Sequence, residues 1–121
     1  MARIALVDDQ HDILHLLHVC LSRIGHETAA AASKKELINL LNNFNPQLII
    51  LDVNLGPENG RDICREIKNS ENHHIPIILY SANNSMLQNH HECQADDVLD
   101  KPFEIRDLIA KVNKALGQEK Q

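Results

Sequence analysis

The stretch LIILDVNLG, residues 48–56, decides the fold. Four apolar residues run unbroken into Asp52. A strand with one face in water alternates apolar and polar residues. A run that is apolar at every position reads instead as a strand buried on both faces, as in a parallel sheet covered by helices. The carboxylate then marks where the strand leaves the core. Three other runs end in the same way: RIALV (3–7) meets Asp8 and Asp9, IPIILY (75–80) meets Ser81, and DDVL (96–99) meets Asp100 and Lys101. HETAAA (26–31) is a weaker strand followed by alanine and serine.

Segments of helical character separate these runs. In residues 9–25, Ile13, Leu16, Leu17, Cys20, Leu21 and Ile24 recur at helical spacing, and Gly25 supplies a stop. Residues 33–44 open with Ser33 and Glu36 in the capping-box arrangement. Residues 60–70 and 103–116 read as further helices, the second ended by Gly117. Residues 83–94 form a poorer one, rich in the mediocre helix formers Asn, Ser and His. Strand alternating with helix predicts an α/β fold: one five-stranded parallel sheet with helices on both faces. A single domain is expected over residues 1–121, with 117–121 a flexible tail or the start of a linker.

Composition agrees with this. A chain of 121 residues, 43% apolar, can bury a core without disulfides or structural metal. Phe44, Tyr80 and Phe103 are its aromatics, so Leu, Ile, Val and Ala must build that core. A formal charge of −5 gives no general attraction to nucleic acid, and no basic run supplies a local one. Cys20, Cys64 and Cys93 lack zinc-type pairing and fit reduced, buried thiols. No run approaches the ~20 apolar residues of a membrane span, and the N-terminal run is too short for a signal peptide. A cytoplasmic protein is expected.

The C-terminal ends of parallel strands lie on one edge of a sheet, so Asp8, Asp9, Asp52, Ser81 and Lys101 should converge there, where open α/β sheets bind ligands. Two unit charges ~4 Å apart repel by about 4 kcal/mol at an effective dielectric of 20. Proton uptake or a bound cation relieves that repulsion. The candidate ligands are all oxygens, which selects a hard ion, Mg²⁺ by preference. Carboxylates, Mg²⁺, a lysine and a hydroxyl together suit a phosphoryl group, and a carboxylate can be the nucleophile that receives it.

These residues, in this order, resemble the receiver domain of bacterial two-component response regulators over essentially the whole chain. The matching features are LVDD with Asp8 and Asp9, LIILDVNL with Asp52, Gly60 eight residues on, YSA with Ser81, and DKPF with Lys101 and Pro102. The resemblance implies a sheet order of 2-1-3-4-5. It implies that Asp52 accepts a phosphoryl group from a phosphohistidine, on a sensor histidine kinase or a histidine phosphotransfer protein. It further implies that Asp9 holds Mg²⁺ directly, Asp8 mainly through water, and Asn54 through its backbone carbonyl. Lys101 would pair with the phosphoryl oxygens. The Ser81 hydroxyl and the Ala82 N–H would bond the phosphate, and Lys101–Pro102 would be a cis peptide. Asn54 and Asn83 occupy positions that modulate loss of the phosphoryl group in the family. Val98 stands where the family often carries a switching aromatic ring, so that form of signal is not expected. A monomer or weak dimer with an unnamed downstream protein is the expected assembly.

His11, His15 and His18 follow one another at helical spacing, opposite the apolar stripe, and are expected to face water. Two other function classes compete with the switch. A phosphate-independent module would keep the shape alone, although Asp52, Asp9 and Lys101 are all present. A small Mg²⁺-dependent aspartyl phosphotransferase would need a general acid near the nucleophile and a substrate cap. Asn54 occupies the nearby position, and the chain has no room for a cap.

Overall fold

The computed structural model describes residues 2–82 and 90–117. The elements run β1 (Arg3–Val7), α1 (His11–Arg23), β2 (Glu27–Ala31), α2 (Lys34–Asn43), β3 (Leu48–Asp52), β4 (Asn54–Leu55), β5 (Glu58–Asn59), α3 (Gly60–Lys68), β6 (Ile77–Ser81), β7 (Asp97–Asp100) and α4 (Ile105–Ala115). Five strands form one sheet in the order β2-β1-β3-β6-β7, every neighbouring pair parallel. Counted along the sheet strands alone, this is the 2-1-3-4-5 order that the family resemblance implies. The antiparallel ribbon of β4 and β5, between β3 and α3, was not anticipated from the pattern.

The five residues of β3 and the five of β6 are all buried. Strand alternation sends their side chains to two separate cores. Ala5, Val7, Ile49, Leu51, Ile77 and Leu79 pack with Leu37 and Leu41 of α2 and with Ile63, Cys64 and Ile67 of α3. Ile4, Leu6, Leu48, Ile50, Ile78, Tyr80 and Leu99 pack with Leu14, Leu17, Cys20 and Leu21 of α1 and with Leu108 and Val112 of α4. The three cysteines are buried and none is in a disulfide.

The stripe predicted on α1 is corrected in part. Leu14 is buried, whereas Leu16 and Ile24 are each 41% exposed. Leu16 sits one helical step of about 100° from the buried Leu17, off the contact line. Ile24 is the C-cap, past the last helical turn. His11, His15 and His18 are exposed, as expected, and His18 shares a hydrogen bond with Thr28 Oγ1 at 2.6 Å.

Caps set the helix starts. Ser33 Oγ accepts the Glu36 N–H at 3.2 Å, while the Glu36 carboxylate accepts the Ala32 N–H at 2.8 Å. The reach back thus falls one residue earlier than a standard capping box places it. The Asn59 side chain caps α3 by accepting the Arg61 N–H at 2.8 Å. The helix predicted over 83–94, Asn83 and the His90–His91 side chains lie outside the described residues, apart from a 3₁₀ turn at His90–Cys93. Among the described residues, no helix is long and apolar enough to cross a membrane.

Candidate functional site

The chain leaves β1 outward to β2 and returns to β3 on the other side of β1, so the strand order reverses between β1 and β3. A crevice opens at such a point. Asp8 and Asp9 follow β1, and Asp52 ends β3. Val7 pairs with Leu51, and Asp52 with Tyr80. That register puts Asp8, Asp52 and Tyr80 level and on one face, because partners in a parallel sheet share a face.

The three acids converge: each offers a carboxylate oxygen within 4.8 Å of the others. Asp8 and Asp52 are buried and Asp9 is exposed. Lys101 lies between the buried pair, its Nζ 3.2 Å from Asp8 Oδ2 and 3.2 Å from Asp52 Oδ2. The Asn54 N–H donates to Asp52 Oδ1 at 3.1 Å and the Gln10 N–H to Asp8 Oδ1 at 2.9 Å. Burial holds the Asp52 carboxyl above the ordinary carboxylate range. The Asn54 N–H and the Lys101 ammonium pull the other way, while the Asp8 charge adds to the rise.

Gly60 explains the tight seat of Asp52. A Cβ there would lie 2.2 Å from the Asp52 carbonyl oxygen, so a side chain would force the helix off the strand. With glycine, the Gly60 N–H donates to the Val53 carbonyl at 2.7 Å and α3 starts against the end of β3. Ser81 is buried at the end of β6, and its carbonyl accepts the Lys101 N–H at 2.9 Å, which ties the lysine strand to the serine strand. Lys101–Pro102 is cis. Ala82 is exposed, and with Ile13, Leu16, Lys101, Pro102 and Phe103 it lines an apolar hollow of about 300 Å³ beside the acids. Asn54 is exposed in the ribbon next to Asp52.

The response regulator receiver domain family matches residues 4–113. The chain belongs to that family. This receiver is similar to the receiver domain of NtrX from Brucella abortus, at 29% identity and a TM-score of 0.87, covering 96% of this chain and 99% of that one. It is similar also to a longer NtrX chain from the same organism, at 31% identity and a TM-score of 0.89, where the match covers 96% of this chain and only 27% of that one. A signal receiver domain of a signal transduction histidine kinase from Syntrophus aciditrophicus aligns at 27% identity and a TM-score of 0.87, over 100% of this receiver and 94% of that chain.

Residue reasoning missed one member of the site. The Tyr80 hydroxyl donates to Asp8 Oδ2 at 2.5 Å, and Lys101 Nζ stands 4.4 Å from the centre of its ring. Tyr80 stands inside an apolar strand and reads as core. Its place beside Asp8 follows only from the pairing of Asp52 with Tyr80. Burial and the bond to Asp8 push its phenol well above the ordinary range, so it stays a donor.

Proposed function

We propose that Asp52 is the phosphoacceptor of this receiver and that phosphorylation switches its partner binding. The observation that carries this reading is the convergence of Asp8, Asp9 and Asp52 with Lys101 bridging Asp8 and Asp52. The three acids supply oxygen donors only, which suits Mg²⁺. Asp9, Asp52 and the Asn54 carbonyl would hold the ion, with Asp8 acting through water. When bound, it supplies positive charge against the acids and the incoming phosphoryl oxygens.

An Asp52 carboxylate oxygen attacks the phosphorus of a phosphohistidine. The P–N bond breaks, its electron pair stays on the imidazole, and an acyl phosphate forms on Asp52. Lys101, already within reach of Asp52, pairs with the transferred oxygens. The Ser81 hydroxyl and the Ala82 N–H bond the phosphoryl group from the neighbouring strand end, and that differential binding shifts the conformational equilibrium. Hydrolysis reverses the state at a rate tuned by Asn54 and Asn83.

Receiver domains as a family work with sensor histidine kinases. For this receiver the partner is a sensor kinase or histidine phosphotransfer protein, and it acts in the cytoplasm on a downstream protein, without contacting nucleic acid or membrane. It catalyses only its own phosphorylation and dephosphorylation, because Asn54 replaces the acid that a phosphotransferase would need beside its nucleophile.

Incubation with Mg²⁺ and a small phosphodonor, followed by intact-mass measurement, tests this. The expected result is a transient adduct that Asp52→Asn abolishes. Continuous turnover of the donor would identify an enzyme instead, and no adduct at all would leave a phosphate-independent module.

A further inference from the structure

We infer that Tyr80 is a positioning residue for the acidic pocket. Its hydroxyl pins Asp8 and draws charge from it, so that the pocket holds the ion less tightly than three free acids would. This rests on the reading of the pocket as the Mg²⁺ site of the receiver.

The two buried acids are held differently. Asp52 has one backbone donor on Oδ1 and Lys101 on Oδ2. Asp8 has the Gln10 N–H on Oδ1, and on Oδ2 both Lys101 at 3.2 Å and the Tyr80 hydroxyl at 2.5 Å. Asp8 is completely buried. With donors on both oxygens and no solvent to move into, its carboxylate is fixed in direction. A hydrogen bond to an ionised oxygen is among the strong ones, and it lowers the charge which that oxygen can offer a cation. Asp9, exposed at the mouth, keeps the freedom to turn toward an ion.

The tyrosine ring also meets the lysine of the same pocket. The Lys101 ammonium over its face is held between the two acids. An ammonium over an aromatic face is attracted by the ring quadrupole, and more so where water is excluded. One side chain therefore touches both the acid that shapes the ion site and the lysine that meets the phosphate.

Two measurements test this. Calorimetric titration with MgCl₂ at pH 8 compares the wild type with Tyr80→Phe, which keeps the ring and removes the hydroxyl. The affinity of the variant is expected to rise roughly fivefold, because Asp8 regains charge once it loses a charge-assisted bond. The second measurement uses the wild type alone. Tyr80 is the one tyrosine and the chain has no tryptophan, so emission in the tyrosine band reports on this phenol alone. Titration with MgCl₂ should change that emission at the concentration where calorimetry places the binding midpoint. Unchanged emission through that midpoint overturns the inference even if the variant fails to fold. Equal or weaker binding by a folded Tyr80→Phe also overturns it, while leaving the phosphoacceptor reading intact. A wild type that takes up no Mg²⁺ overturns both.

Discussion

The two edges of the sheet treat buried ionisable groups in opposite ways. At the N-terminal edge, His26 is buried and its Nδ1 accepts the Ala2 N–H at 3.0 Å. Burial lowers its pKa, and the nearby chain terminus lowers it further. It is held neutral and serves as a clasp between the start of β1 and the start of β2. At the C-terminal edge, Asp8 and Asp52 are buried just as deeply, but Lys101, Tyr80 and two backbone N–H groups surround them. There the charge is shared rather than removed. The neutral imidazole of His26 serves here as a hydrogen-bond acceptor for the backbone. A charged group kept in place by partners can bind an ion and attack phosphorus.

Breaking the charge sharing at the C-terminal edge should have the largest effect. Lys101→Ala removes the ammonium that bridges the two acids, and the rate of Mg²⁺-dependent phosphorylation is expected to fall by roughly a hundredfold. Stopped-flow measurement with a small phosphodonor reads this directly. A rate within a factor of about three of wild type would mean that the lysine only screens the acids and takes no part in transfer.

Next comes the seat of Asp52. Gly60→Ala places a methyl group against the Asp52 carbonyl, where backbone rather than a movable side chain must give way. The expected loss is roughly 2–3 kcal/mol in urea unfolding, with slower phosphorylation as Asp52 is displaced. An unchanged unfolding midpoint would show that α3 can slide away from β3 freely.

The smallest effect belongs to the N-terminal edge. His26 has a folded pKa below its unfolded value of about 6.5. Between those values the unfolded chain binds more protons than the folded one. Its contribution is therefore complete above about pH 6.5 and is lost as the pH falls below that. Thermal melts from pH 7.5 to 5 should show a shallower decline in His26→Asn than in wild type, while the phosphorylation rate stays the same. A slowed rate in that variant would break the distinction between the edges.

Much of this architecture is legible in the chain. The runs at 4–7, 48–51 and 77–80 are buried throughout because parallel strands are covered on both faces, and Asp8, Asp52 and Ser81 mark their exits. The cap at Ser33 lies within four residues of its partner and is equally readable. Leu16 was misread because helical spacing gives the arc of a helix that can be apolar, whereas its neighbours decide which part of the arc is covered. The ribbon of β4 and β5 escaped notice because two-residue strands carry no periodicity.

The sequence by itself determined the class of fold and the kind of chemistry, since burial patterns and residue types are local properties that survive without coordinates. Only the tertiary structure decided who meets whom. Tyr80 and Asp8 stand 72 positions apart, and Gly60 reaches the Asp52 carbonyl from the head of another element. Such contacts depend on strand register and on the approach of a helix to a sheet, and neither leaves a mark on neighbouring residues. The crevice can therefore be foreseen as acidic from its residues alone, but the phenol that bonds one of its acids reads in the chain as core.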